Sequence, residues 1–326
     1  YLSPDYQWNT YKWTLSLSVP LRWTGYTGVG FSRISVNPSL SIIYKLNYAW
    51  RFTAHASYKE RYGEMTDLYD RPYQTDYRNS VWNCGILPVY RQQLYSVYGE
   101  YKNTAREFFA TVNLTHNREW YNRIYEQRIE NGQVQRVSLP LSNHGSGYTV
   151  KSTLSKGFYD LGLKTSFLAL LNISKAEQSS GGQRLPYQYR LMRLEPKVIW
   201  TPNRHWETSY QTDIRYGGNK IGERTRLAPL WNVTQQVQLS YIFSPIEASL
   251  SVDHYHNDVN EDQSVNAVFA DFSVLWKSRR WQITATATNL FDKRTYAYTR
   301  YASLESYTSW VRIRPREFLV AIRYRL

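Results

Sequence analysis

The chain has 326 residues, with 40 Lys and Arg against 26 Asp and Glu, a formal charge of +14 and a negative mean hydropathy. No apolar run approaches the roughly 18 to 20 residues that a membrane-spanning helix needs, which excludes a helical membrane protein. A single cysteine, Cys84, excludes an internal disulfide framework.

The aromatic content is heavy, 30 Tyr, 12 Trp and 11 Phe. It exceeds what a water-soluble core of this size requires and suits a structure with two water–lipid interfaces. The basic residues are spread along the whole chain and no recognition-helix or RNP-type motif accompanies them, so no nucleic-acid partner is expected. They suit lipid phosphates or an anion-attracting lumen instead. The chain opens Tyr1-Leu2-Ser3-Pro4 without the regions of an export signal, and for an exported protein this implies a processed or truncated start.

Taken in chain order, period-two alternation runs almost from end to end. The first stripe is Trp13, Leu15, Leu17, Val19, Leu21 and Trp23, with Thr14, Ser16, Ser18 and Arg22 between them. Ile34 to Tyr44 and Trp50 to Tyr58 follow, then Tyr95 to Tyr101, Phe108 to Leu114 and Tyr148 to Leu154. The stripe Leu161, Leu163, Thr165, Phe167, Ala169, Leu171 and Ile173 is strong. Met192 to Trp200, Trp206 to Ile214, Trp231 to Phe243 and Ile246 to Val252 continue the series. Val268 to Trp276 and Trp281 to Ala287 precede the last stripe, Phe318, Val320, Ile322, Tyr324 and Leu326. About 14 strands result. Many of these stripes run about 9 to 13 residues, the reach of a tilted strand across a bilayer. The strands of a soluble sandwich are shorter, about five or six residues.

Tight connections are expected near Lys45-Leu46-Asn47, Asn103-Thr104, Lys156-Gly157, Thr201-Pro202-Asn203, Ser244-Pro245 and Lys277-Ser278-Arg279. Longer polar segments fall between them, notably Glu60 to Gln92 and Asp292 to Thr308. Short and long connections alternate, which is the asymmetry between periplasmic turns and extracellular loops. Asn131-Gly132 is a two-residue hairpin signal and predicts two strands extended beyond the membrane. The fold class is therefore all-β, an antiparallel transmembrane β-barrel of the bacterial outer membrane. Trp13, Trp23, Trp50, Trp200, Trp206, Trp276, Trp281 and Tyr324 are the expected membrane-interface aromatics.

Ala287-Thr288-Asn289-Leu290-Phe291-Asp292-Lys293-Arg294 resembles the Asn-Leu-Phe-Asp segment near the C-terminus of TonB-dependent outer-membrane receptors. The ending from Arg314 to Leu326 looks like that family's terminal strand, read by the outer-membrane assembly machinery, although the family strand usually ends in Phe. The match covers the last 40 residues or so, and the strand architecture extends it loosely over the rest. It implies a barrel of about 22 strands with an N-terminal plug and a TonB box. Neither is found in this chain, which is expected to be a single domain, the C-terminal part of such a barrel. The first stripe would then be an open edge.

No catalytic motif is present, no cofactor is implied, and no enzyme is expected. His254 and His256 share a strand face, but a metal site needs three or four convergent ligands, so none is assigned. His144 and His254 would be the rim residues of a barrel hydrolase, and no accompanying motif supports them. The segment Glu60 to Gln92 interleaves aromatic and charged groups, and Tyr69, Asp70, Arg71, Tyr73 and Trp82 are candidate ligand contacts. Arg294, Tyr296 and Arg300 are their counterparts in the last long segment. Packing of these loops on themselves is the alternative.

The expected function is outer-membrane uptake of a scarce nutrient, energised through TonB, with this chain as barrel wall and loops. The partners are outer-membrane lipid, lipopolysaccharide, the assembly machinery and, through the plug, the TonB complex. A self-contained 14-strand channel is the rival, and a barrel enzyme or an adhesin stands further off.

Overall fold

The computed structural model describes the chain apart from residues 131, 223, 224, 227, 303, 304 and 326, and leaves undescribed the side chains of 29, 130, 225, 226, 300–302 and 305–307. In chain order the elements begin with β1 (Asp5–Asn9), β2 (Trp13–Ser18), β3 (Leu21–Tyr26), β4 (Phe31–Val36), β5 (Ser39–Lys45) and β6 (Trp50–Tyr62). A long loop carries β7 (Tyr73–Gln74) and β8 (Asn79–Trp82), and leads into β9 (Val89–Asn103) and β10 (Phe108–Tyr121). Then come β11 (Ile124–Glu130), β12 (Gln133–Leu139), β13 (Asn143–Phe158), β14 (Leu163–Ser180) and β15 (Gln183–Asn203). The chain continues with β16 (Trp206–Ile221), β17 (Thr225–Arg226), β18 (Leu230–Phe243), β19 (Ile246–Asp258) and β20 (Ser264–Lys277). It closes with β21 (Trp281–Thr288), β22 (Thr295–Ala302), β23 (Glu305–Arg312) and β24 (Glu317–Tyr324).

The wall is one antiparallel meander, in the order β1, β2, β5, β6, β9, β10, β13, β14, β15, β16, β18, β19, β20, β21, β24. Among the described residues this is one wall strand more than the alternation predicts, because the short β1, with Tyr6 and Trp8 as its apolar face, gives too brief a signal. β1 and β24 do not pair with each other, so the described sheet is an arc with two edges.

Both stripes nearest the N-terminus are broken where one strand was expected. β2 stops at Ser18 and β4 at Val36, just short of Pro20 and Pro38, and β3 and β4 form a hairpin of their own. Proline donates no ladder hydrogen bond, so the wall strand ends there. Trp23 therefore lies on this separate hairpin, where its indole Nε1 donates to Ser32 at 2.8 Å, and not on a wall strand.

The tight turns lie at one end of the sheet. At three of them an asparagine carboxamide does the work: Asn47 Oδ1 accepts from the amides of Ala49 and Trp50, Asn103 Oδ1 from Arg106, and Asn203 Oδ1 from His205 and Trp206. Two connections shift from their expected places. β13 continues through Lys156-Gly157 to Phe158, and the turn is Tyr159–Gly162. β15 runs through Thr201 and Pro202 to Asn203, with its register shifted after Trp200.

Gly162 closes its turn in the left-handed region, with φ 57°. A Cβ there would stand 2.1 Å from the Thr201 carbonyl oxygen, while the Thr201 amide donates to Gly162 O at 2.8 Å. Gly162→Ala is expected to lower unfolding free energy by about 2 kcal/mol or more. Gly132→Ala, at φ 77° with open space around it, should cost only about 1 kcal/mol. Urea midpoints of the two variants check the contrast.

The two faces of the wall differ in chemistry. One carries the apolar stripes, and Val97, Leu114, Val150, Leu171 and Phe272 on it are 37–54% exposed. The other carries polar side chains, as in the Thr111–Thr153 hydroxyl contact and the Asn172 bond to Thr149. β22 lies against this second face, touching β16, β18, β19 and β20, which defines it as the inner face. Of the expected interface aromatics, Trp13, Trp50, Trp200, Trp206, Trp276, Trp281 and Tyr324 all sit beside the tight-turn end. Trp13 stacks on Tyr44, and Trp50, Trp206 and Trp281 pack against Tyr101, Tyr241 and Tyr324 on adjacent strands. Phe318, Val320 and Ile322 of the last strand are 64–73% exposed; Leu326 lies outside the described residues.

Candidate functional site

Chemistry gathers in three places, two at the loop end of the wall and one against its inner face. The first is the segment between β6 and β9. Its residues fold onto one another: Tyr69 meets Tyr73 edge to face at 6.1 Å, and the Trp82 indole donates to Asp70 Oδ1 at 3.4 Å. Arg123 Nη1 holds Asp67 at 3.0 Å. Cys84 sits in this loop in the left-handed region, with φ 55°, and burial pushes its thiol pKa up. Of the candidate ligand contacts, Tyr69, Asp70, Tyr73 and Trp82 are brought together and spend contacts on each other, while Arg71 stays exposed.

The second is the hairpin β11–β12, where Glu130 faces Gln133 across the Asn131-Gly132 turn. Asn131 lies outside the described residues; Gly132 has the positive φ that such a turn demands. β12 pairs in parallel with β8, and β11 meets β14 at Glu126 and Ser179. The two strands thus lie in reversed order relative to β10 and β13 below them. Ile124, Val137, Ser138 and Ser179 are all at most 2% exposed, so this is a packed cap.

Glu126 is buried within it, accepting from Arg128 Nε and Ser179 Oγ, both at 2.9 Å. The Arg128 bond, against the opposing effect of burial, holds its carboxyl below the usual range. A depressed carboxylate stabilises the fold above its unfolded pKa, near about 4.3, and that stability is lost as pH falls through the lower folded value. Residues 124–139 are expected to exchange amide hydrogens faster relative to residues 108–121 below about pH 4. Glu126→Gln should flatten this dependence, and identical pH profiles for variant and parent would contradict it.

The third is the C-terminal segment, expected as a loop and found as the hairpin β22–β23. Thr299 and Thr308, directly opposite, bond through their hydroxyls at 2.8 Å, and such paired β-branched residues favour strands. The Asn-Leu-Phe-Asp segment is the elbow that turns it inward. Asn289 and Asp292 both take positive φ, 50° and 51°. Asn289 Nδ2 donates to the carbonyls of Lys293 and Arg314, both at 2.8 Å, its Oδ1 accepts from the Lys293 amide, and its own amide donates to Asp271. Asp292 accepts from Arg316 N at 2.9 Å and Arg294 Nη2 at 2.8 Å. Arg294 is thus committed to the elbow.

Beyond the elbow, Asn257 Nδ2 donates to the Ala297 carbonyl at 3.1 Å, and Tyr255 packs edge-on against Tyr296 at 5.3 Å. A cavity of about 560 Å³ is left between the hairpin and the wall. Tyr189, Tyr296 and Tyr298 supply aromatic surface, and Arg193, Asp213 and Arg215 a charged floor. Asp213 bridges the two guanidiniums, at 3.0 Å from Arg193 Nη2 and 2.6 Å from Arg215 Nη2, and Glu195 also contacts Arg193. The bridged guanidiniums keep donors to spare for a ligand, since each carries five and the carboxylates take only some. Tyr296 is the only sequence candidate placed at this cavity among the described side chains; Arg300 falls outside them. Arg193, Asp213 and Arg215 were not singled out. Their signal was parity: they alternate with Met192, Leu194, Ile214 and Tyr216 on the same strands.

Among the described residues no three His, Cys, Asp or Glu side chains converge as a metal site. His256 is engaged by Asn266 at 2.9 Å and Asp258 at 3.3 Å.

No family model matches the chain, and no curated protein does. Among solved structures it is similar to the siderophore receptor PirA from Acinetobacter baumannii, with TM-score 0.42 and 7% identity over 98% of this chain and 70% of that one. The ferric-catecholate import receptor Fiu from E. coli K12 gives 0.42 and 9%, over 99% and 79%. The toluene transporter TodX from Pseudomonas putida gives 0.26 and 10%, over 99% and 86%. Superpositions this loose assign the chain to none of them.

Proposed function

We propose that this chain is the wall of an outer-membrane transporter that captures its solute on the inner face, beneath the loop end. The observation that carries the reading is the division of the sheet into an apolar, exposed face and a polar face roofed by the C-terminal hairpin. Lipid covers the first, and the cavity under Tyr296 and Tyr298 receives the solute on the second. Three tyrosines over two guanidiniums suit a small, flat or amphipathic solute with anionic or hydrogen-bond-accepting groups. No bond is broken in this function; the chain binds and releases.

The Asn289–Arg294 elbow supports membership of the TonB-dependent receptors. On that reading the chain is the C-terminal part of a barrel of about 22 strands, with an upstream plug on which the TonB complex pulls. Membrane fractionation and gel mass test it together. The native protein, extracted from outer membranes without heating and then heat-denatured, should shift mobility and run well above the 38.6 kDa of this chain. A heat-modifiable species at about that mass would replace the reading with a self-contained channel. Recovery in the soluble fraction would overturn the membrane assignment itself.

A further inference from the structure

The outer face carries a charged row that the transport reading does not use. Arg118 of β10 pairs in register with Ser146 of β13, Ser146 with Lys175 of β14, Lys175 with Gln188 of β15, and Gln188 with Lys220 of β16. These five positions form one line across five adjacent strands. Neighbouring strands lie about 4.8 Å apart, which sets the three cations at intervals of roughly 10 Å.

The rows beneath are ordered by chemistry. Directly below comes the row of His116, Tyr148, Ile173 and Arg190, in which the His116 ring stacks on Tyr148 at 4.2 Å and on Tyr95 at 6.4 Å. Below that lies Leu114, Val150, Leu171 and Met192. Apolar, aromatic and cationic layers thus succeed one another toward the loop end, as lipid tail, interface and headgroup would.

The cationic row opens into a groove of about 470 Å³, lined also by Glu119, Trp120, His144 and Glu177. The Glu119 carboxylate already accepts from Tyr90, Gln92, Asn117 and Tyr121. Glu177 is taken by Arg184 at 3.5 Å. Arg118 and Lys175 are exposed and Lys220 half-buried, and none of the three has an ion-pair partner among the described residues. Three cations in register above a lipid-facing band, without an ion-pair partner among the described residues, concentrate positive charge at the height where anionic headgroups would lie.

We propose that this groove binds the phosphate groups of a phosphorylated glycolipid in the outer leaflet of the membrane. The proposal rests on the outer-membrane reading above and deepens it. Lipid phosphates and free phosphate share the recognition chemistry, and the apolar band immediately below the row favours the lipid, whose chains would lie on Val150 and Leu171.

The test is native mass spectrometry of the full-length protein, in detergent, titrated with diphosphorylated lipid A. The parent should bind it, and binding should survive excess inorganic phosphate. The triple variant Arg118→Gln, Lys175→Gln, Lys220→Gln should bind about 100-fold more weakly, from about fivefold per basic residue near an anionic surface. Arg118→Lys should retain binding, and heat-modifiable mobility establishes that each variant is folded. Unchanged binding by a folded triple variant, or displacement of the lipid by inorganic phosphate, would overturn the site. A protein absent from the outer membrane would fail the earlier reading instead, so the two failures are told apart.

Discussion

Replacing Asn289 with alanine is expected to free the hairpin β22–β23 from the inner face while leaving the wall intact. The substitution strips partners from the Lys293 amide and from the Lys293 and Arg314 carbonyls. Asn289 is only 7% exposed, so water does not simply replace them. Each buried backbone group left unsatisfied costs about 1–3 kcal/mol, and asparagine tolerates φ 50° better than alanine does. A local loss of about 3–5 kcal/mol follows. Hydrogen exchange across 295–312 should accelerate by about two orders of magnitude or more, with residues 163–180 unaffected. Asn289→Asp separates the contributions, because it keeps an acceptor and the left-handed preference but cannot donate to the two carbonyls. It also adds charge beside Asp271, so it should open the hairpin nearly as far. Unchanged exchange in Asn289→Ala would mean that the Asn257 and Tyr255 contacts alone hold the hairpin down, and the elbow would lose its role.

This elbow shows where sequence reasoning stops. The segment Asn289 to Arg294 is recognisable as a motif, but nothing in its order says that the Asn289 carboxamide and the Asp292 carboxylate lock a change of direction. That depends on Arg314 and Arg316 arriving from beyond the hairpin, contacts more than 20 residues apart in sequence. Wall strands were legible because one face of each must be apolar throughout, a local demand that writes itself as alternation. The middle of β14 needs only its own letters, Phe167, Ala169, Leu171 and Ile173, to declare a face. β22 was hidden because its environment alternates less sharply: Ala297 and Thr299 are the buried positions, and neither is strongly apolar. The cavity floor was legible in principle. Arg193 and Asp213 occupy the face opposite an apolar stripe, and charge on that face marks it as the polar side of the sheet. Which of the many polar inner residues converge is set by register, Arg193 to Arg215 and Leu194 to Ile214, and register is not written in either strand alone.

The division into two faces makes the largest contrast that a pair of substitutions can show. Phe167 and Ser166 are neighbours at one height on β14. Phe167 lies on the outer face, opposite Leu154 and Pro196, and is 39% exposed. Ser166 lies on the inner face, opposite Ser155 and Lys197. In a bilayer, Phe167→Arg places a guanidinium in hydrocarbon, at a cost of about 2–4 kcal/mol near the midplane and less toward an interface. Ser166→Arg places the same group on the polar side, near Lys197, and should cost about 1 kcal/mol or less. The outer substitution should therefore lower the folded-to-unfolded ratio by one to three orders of magnitude relative to the inner one, read as urea midpoints in phospholipid vesicles. In detergent-free water a soluble sheet would show no such asymmetry, because an exposed arginine on either face would simply be hydrated. Equal costs in vesicles would mean that the apolar face does not meet lipid, and the transport reading would fall with it. An asymmetry that disappears at Trp200 and Trp206, beside the tight turns, and persists at Phe167 and Leu171 would measure the depth of the hydrocarbon directly, since the penalty for a charge falls toward the interface.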